Sequence, residues 1–286
     1  MKKLLLAGWM ICFLFLSIGL SQEDPKVTAQ KAYNEGLTLL KKNQTAQAIE
    51  KLKEATSLDP NLAVAYYALG IAYKNTKDLA TAEDMFKKAI EKDDMYSAAY
   101  NALGLLYNSQ QRYDSAINTF KAALGINPND EKANFGLGSV YLQQKDYRNA
   151  IQYFKKAVEI QAEYSNAWEN LGICHHEIRE YEAAIAAFGN ALQYEKKKTE
   201  KSEIYLRLGS SLAKLERDEE AIQAYNSAIE ISTQSYIQGA AHFGLGEIYK
   251  KNGDKQQAQL HFEAASKDRS WKQPALYEID MMKKQN

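Results

Sequence analysis

The sequence has 286 residues, 36 of them basic and 36 acidic, with a hydrophobic fraction of 45% and a charged fraction of 25%. So balanced a charge offers no basic field for a nucleic-acid backbone, and the apolar fraction is that of a chain that folds. Its two cysteines, Cys12 and Cys174, fall on opposite sides of an expected processing point, which leaves no intramolecular disulfide and makes packing the source of stability.

Lys2 and Lys3 precede an apolar run from Leu4 to Leu20 that turns polar at once in SQEDPK. This is the layout of a secretory signal, with Gly19 and Ser21 as the small residues before a cut after Ser21. We expect residues 1–21 to be a signal peptide, residues 22–28 a linker, and the chain to be exported to the periplasm or cell envelope. The run is at the short edge of what spans a bilayer, so an uncleaved N-terminal membrane anchor is the alternative. Cys12 lies behind Trp9, Met10 and Ile11 rather than small residues, which argues against a lipid anchor. Loss of Lys2 and Lys3 would leave two more acids than bases, a formal charge of −2.

From residue 29 the sequence is periodic. Glycines recur at Gly36, Gly70, Gly104, Gly138, Gly172, Gly209 and Gly246, all but the first preceded by Leu. Alanines follow at Ala48, Ala82, Ala116, Ala150, Ala184, Ala221 and Ala258, and again at Ala55, Ala89, Ala123, Ala157, Ala191, Ala228 and Ala265. Between each pair of alanines sits one bulky side chain, Leu52, Phe86, Phe120, Phe154, Phe188, Tyr225 or Phe262, and Tyr73, Tyr107, Tyr141 or Tyr249 follows most of the glycines. In the first half of each period, steps of three and four residues return to one face, as with Tyr100, Leu103, Gly104 and Tyr107. Small residues would let two helices approach while the large ones fill the space beside the contact. Each pair still leaves an apolar face, so the copies must stack.

A helix-turn-helix period of 34 residues with Leu-Gly, Tyr, Ala, Phe and Ala at these places resembles the tetratricopeptide repeat. The expected fold is an all-α, right-handed superhelical solenoid of seven copies, at 29–62, 63–96, 97–130, 131–164, 165–198, 202–235 and 239–272, with a capping helix and tail at 273–286. Asp78, Asp146 and Asp254 are expected N-caps of second helices, and Thr45 is expected to cap the second helix of the first copy, which explains Asn43-Gln44-Thr45 better than a glycosylation sequon does. Extra residues at 199–201 and 236–238 should lengthen a helix end or a loop. Pro274 should open the capping helix, with Leu276, Ile279 and Met282 on one face. Lys196, Lys197 and Lys198 read as a solvated helix end.

The family resemblance implies a non-catalytic scaffold that holds a protein or peptide partner on the first helices. Positions 2, 5, 9 and 12 of each first helix point away from its partner helix and would form the inner wall of a groove. In copies one to four they include Tyr33, Leu37, Tyr67, Ile71, Lys74, Asn101, Leu105, Asn108 and Phe135, a row too apolar for a purely solvated face. In copy five they include His176, and in copy seven Ala240, Phe243, Glu247 and Lys250. Two readings stay open for positions 5 and 9: contact with a partner, or packing against the next copy. If the first holds, joint replacement of Tyr33, Tyr67 and Phe135 by Ala removes partner capture and spares stability. Repeats of this family that clamp a C-terminal carboxylate use a fixed Lys, Asn and Arg set. Asn170 and Arg207 match it and stand as groove residues, but Phe135, Ser139 and Glu203 replace the rest, so that mode is rejected.

No cofactor is expected, and no metal. His175 and His176 adjoin Cys174, yet neighbouring helical residues point about 100° apart and cannot converge easily on one ion. The alternatives to a scaffold are a substrate-delivering subunit of an enzyme complex or, more remotely, a metal-dependent enzyme at His175 and His176.

Overall fold

A computed structural model describes residues 24–284; the expected signal peptide lies outside them. The chain divides into two compact units, Met1–Lys92 and Asp93–Asn286. The described residues form helices and no strand. Unit 1 contains α1 (Pro25–Lys41), α2 (Thr45–Leu58), α3 (Ala63–Asn75) and α4 (Leu79–Lys92). Unit 2 contains α5 (Ser97–Ser109), α6 (Tyr113–Ile126), α7 (Glu131–Gln143), α8 (Tyr147–Ile160), α9 (Ser165–Glu177) and α10 (Tyr181–Tyr194). It continues with α11 (Lys198–Lys214), α12 (Asp218–Ile231), α13 (Ser235–Lys251), α14 (Lys255–Ala265) and α15 (Lys272–Lys284). Within each unit odd and even helices pair, and each pair packs on the next, so the fold class is the expected α-solenoid.

Packing follows the sequence period. Every alanine of the two series is fully buried, as are Leu52, Phe86, Phe120, Phe154 and Phe262. The glycines are the matching small places: a Cβ on Gly70 would stand 2.5 Å from the Phe86 ring, and one on Gly138 would stand 2.7 Å from Phe154. Burying each ring contributes about 2–3 kcal/mol, and the glycine lets the ring lie on the facing backbone.

The turn inside each pair repeats one geometry. A residue with positive φ stands at Asn43, Lys77, Gln111, Lys145, Arg179, Glu216 and Gly253. The next N–H reaches back to the fifth residue before it, as in Asp146 N to Tyr141 O at 2.9 Å, and that residue's carbonyl accepts the first bond of the second helix, as from Ala150 N at 3.0 Å. One residue thus closes one helix and opens the next.

Asp78, Asp146 and Asp254 cap as expected, accepting from Thr81 N, Asn149 N and Gln257 N. Thr45 does not. It is the first residue of α2, and Gln44, which occupies the cap, makes no side-chain bond, because the left-handed residue Asn43 sets the start one place earlier. The extra residues at 199–201 and 236–238 are helical and give α11 and α13 17 residues against 13 in α3, α5, α7 and α9. In α13 this added turn buries Ile237 completely. Lys196, Lys197 and Lys198 are exposed where α11 begins. The last helix starts at Lys272, before Pro274, and its inward face is Ala275, Ile279 and Met282, whereas Leu276 is 43% exposed.

Neighbouring copies are also latched by carboxylates. Asp130 accepts from the backbone of Lys132 and Ala133 at 3.0 Å each, from Asn101 at 2.8 Å and from the Ser97 hydroxyl. Glu195 accepts from Ser165 and Asp268 from Ser235, at 2.9 and 2.8 Å. Burial would raise the Asp130 carboxyl, but the bonds from Ser97, Ala133, Asn101 and Lys132 outweigh it and hold the group below its usual range.

Candidate functional site

In unit 1, Tyr33 and Leu37 are half-buried against Leu52, Ala68, Leu69 and Ala72, and Tyr67 is half-buried as well. The Tyr67 ring lies 5.9 Å from Phe86, and burial pushes both tyrosine hydroxyls up in pKa, with Tyr67 adding to the effect on Tyr33. Ile71 is half-buried and Lys74 exposed. A broad depression of about 710 Å³ lies instead between α1 and α2, lined by Asn34, Glu35, Thr38, Leu39, Gln47, Glu50 and Lys51, none of them nominated by the sequence.

In the first copies of unit 2 the structure corrects the expected wall. Asn101 and Asn108 are each only 7% exposed, with Asn101 bound to Asp130, because position 5 here serves the latch between copies. Phe135 is half-buried against the core, 5.6 Å from Phe154 and 4.8 Å from Tyr164. Leu105, 43% exposed, stays open.

The later copies differ. A small cleft of about 140 Å³ lies between α9 and α11, lined by Ile173, His176, Glu177, Phe188, Arg207 and Ser210. Ser210 and Arg207 also border the next one, about 320 Å³, whose other walls are Leu206, Tyr236, Ala240, Phe243 and Trp271 with Tyr225, Gly244 and Glu247. Ser210 and Glu247 border a third cleft of about 250 Å³ that runs past Lys214 and Lys251, and Glu247 a fourth of about 270 Å³ that reaches Glu278. Shared residues thus join the four clefts into one furrow across α9, α11, α13 and α15.

The furrow is polar at one end and apolar in the middle. Arg207 stands 3.5 Å from Glu169, and Asn170 is half-buried beside them on α9. Burial raises the Glu169 carboxyl, only partly offset by Arg207. His176 Nδ1 lies 2.9 Å from the Ser211 hydroxyl, which itself bonds to the Arg207 carbonyl. With that hydroxyl proton used, the histidine donates from Nδ1, and burial lowers its affinity for a second proton. His175 turns the other way, with Nδ1 2.6 Å from Glu180, so the adjacent histidines serve different partners. Among the described residues no three His, Cys, Asp or Glu side chains converge on a point. Burial pushes the Cys174 thiol up to about 12, which leaves little thiolate for chemistry.

Tyr225 marks the furrow floor. Its hydroxyl bonds to Ser210 and fits against Gly244, where a Cβ would stand 2.5 Å from the ring. The sequence shows the exchange of Phe for Tyr at this one copy. It also places Phe243 and Glu247 at wall positions, though the aromatic row of the first copies outweighed them; nothing in the period marks Trp271.

No helix among the described residues is long and apolar enough to cross a membrane. Models of the tetratricopeptide repeat match residues 67–131, 101–166, 135–198 and 200–269, and a TPR repeat model matches 36–77. No curated protein matches the sequence. Among solved structures, PilF of Pseudomonas aeruginosa is 22% identical with a TM-score of 0.63, covering 82% of this chain and 98% of that one. The C-terminal part of a TPR repeat-containing protein from Cytophaga hutchinsonii gives 19% and 0.68, covering 84% and 97%. YrrB, described as a TPR protein with an unusual peptide-binding site, gives 21% and 0.55, covering 67% and 96%. With the period, the stacked helix pairs and the matched repeats in agreement, the chain belongs to the tetratricopeptide-repeat family.

Proposed function

We propose that the chain is a non-catalytic scaffold that grips an extended or helical segment of a partner protein along the furrow of unit 2. Repeat proteins of this family generally bind protein or peptide partners. One observation carries the assignment: the furrow is continuous, spans three successive first helices and α15, and passes the nominated residues His176 and Arg207. A concave strip of this kind spreads binding over many small contacts and needs no reacting group. The apolar run Leu4–Leu20 supports placing this scaffold in the periplasm or cell envelope, in the assembly of envelope or secreted proteins.

The test is to pan a library of random dodecapeptides on the full chain and on Ser210→Arg, which puts a long side chain where three of the clefts meet. Peptides selected by the parent chain should lose binding to the variant while its helical melting curve is unchanged. Equal binding to both moves the site elsewhere, and failure to select any peptide refutes the scaffold reading.

A further inference from the structure

The widest cleft of the furrow sets an exposed carboxylate beside apolar walls. Its walls are apolar and partly aromatic: Leu206 on α11, Ala240 and Phe243 on α13, exposed Tyr236, and Trp271, whose ring lies 5.0 Å from Phe243. Into this cleft α13 projects one carboxylate, Glu247.

Glu247 makes no hydrogen bond and no ion pair among the described residues. The cations on its own helix are committed: Lys250 to Glu278 at 2.5 Å and Lys251 to Asp218 at 2.7 Å. Arg207, which borders the same cleft, stands with Glu169 at 3.5 Å. Lys214, from α11, is the remaining cation near Glu247; it favours the ionised form without bonding to it. The side chain remains open to water, and the desolvation that its neighbours impose raises its carboxyl, with Glu278 reinforcing that effect. An exposed carboxylate beside apolar walls, with no protein donor of its own, is free to take the cationic head of an incoming side chain.

We infer that this cleft receives a lysine or arginine side chain of the partner segment, its charged head on Glu247 and its alkyl stem along Leu206, Ala240 and Phe243. The assignment rests on the furrow being the partner-binding surface. The wall composition suits such a side chain, because long basic residues lay methylene stems on apolar surface while the head finds a charge. The Trp271 and Phe243 rings also offer π faces to a cation. An acidic side chain or a C-terminal carboxylate would meet Glu247 head-on, so the carboxylate selects against those as well as for a base.

The same dodecapeptide library tests the inference. Peptides chosen by the parent chain should share a basic residue at one fixed position, and the best of them should bind Glu247→Gln about tenfold to thirtyfold more weakly, the loss of one charge-assisted contact. Replacing that basic residue by norleucine should weaken binding to the parent chain by a similar factor and make binding insensitive to Glu247→Gln. Glutamine keeps the shape, so the helical melting curve stays a control for folding. Peptides selected without a shared basic position, or bound equally by Glu247→Gln, overturn the inference and leave the furrow standing. Failure to select any peptide removes the furrow reading and the inference with it. A chain that binds no peptide yet dimerises, and whose dimers dissolve in Glu247→Gln, overturns it in favour of a second copy of this chain as the occupant.

Discussion

The turn inside each helix pair invites a direct perturbation. Six of its seven left-handed positions carry a residue with a Cβ, at φ values from 56° to 64°, and only Gly253 is free of that cost. A non-glycine residue there is strained by about 1–2 kcal/mol, while glycine gives back about 0.4–1 kcal/mol through the greater freedom of the unfolded chain. Lys145, Arg179 and Glu216 are exposed in unit 2, so replacing them removes no packing. Each change to Gly should therefore stabilise by about 0.5–1 kcal/mol, and the three together, far apart and independent, by about 2 kcal/mol. For a unit of this size that is a rise in Tm of about 4–8 °C, read by circular dichroism. Gly253→Ala is the mirror experiment and should lower Tm by about 2–4 °C. If the triple glycine variant melts below the parent while Gly253→Ala melts with it, the turns are not strained and the reasoning fails.

Other consequences follow from single contacts. A Cβ on Gly136 would stand 2.4 Å from the Phe120 ring, so Gly136→Ala should cost about 2–3 kcal/mol in a denaturant titration, and adding Phe120→Leu should recover part of it. Asp130→Ala removes an acceptor used by Ser97, Asn101, Lys132 and Ala133 and should cost about 2–4 kcal/mol by the same measurement. His242 and His261 face each other, Nδ1 to Nδ1 at 3.0 Å, and burial lowers both below 6.5, with His261 and Lys267 adding to the effect on His242. The unfolded chain then takes up protons that the folded pair resists, so stability falls as pH drops through about 6.5; His261→Gln should lose less Tm than the parent chain between pH 7.5 and 5.5. Mass spectrometry of the chain produced in its native host should find Gln22 at the N-terminus, and an intact Met1 would refute cleavage after Ser21.

The fold was legible because its determinants repeat. A glycine, two alanines and one bulky side chain, Leu52 in the first copy and a ring in the others, recur in every copy, and each set meets in space as the period requires, since the glycine is where that side chain of the second helix lies. The left-handed turn residue was not legible. It is Asn, Lys, Gln, Lys, Arg, Glu and Gly in successive copies, because the backbone bond from the residue after it to the residue four before it fixes the geometry whatever side chain the position carries. The cap at Thr45 and the face of the last helix went wrong for a related reason: both depend on a start point one or two residues away, which the helical period alone does not set.

The wall was harder to read because a side chain at position 5 has two possible uses, and helical spacing reports direction without reporting what stands there. Phe135 and Asn101 point along the expected line and meet the residue at the N-cap of the following first helix, Tyr164 before α9 and Asp130 before α7. The triple replacement of Tyr33, Tyr67 and Phe135 by Ala should therefore not spare stability. Removing the Phe135 ring from beside Phe154 and Tyr164 costs about 3 kcal/mol by itself. Leu206 and Phe243, at the same position in copies six and seven, are half-buried like Phe135 but border a cleft, for physical reasons. Gly244 provides the room that the Tyr225 ring needs to reach Ser210, so the ring forms a floor instead of filling the space above it. Gly239, where a Cβ would stand 2.9 Å from the Trp271 ring, lets that indole lean on α13 and form the far wall. A cleft thus opens where small residues stand on the wall of a first helix, and its lining carries Arg207, which stands with Glu169, and Glu247, which has no such partner.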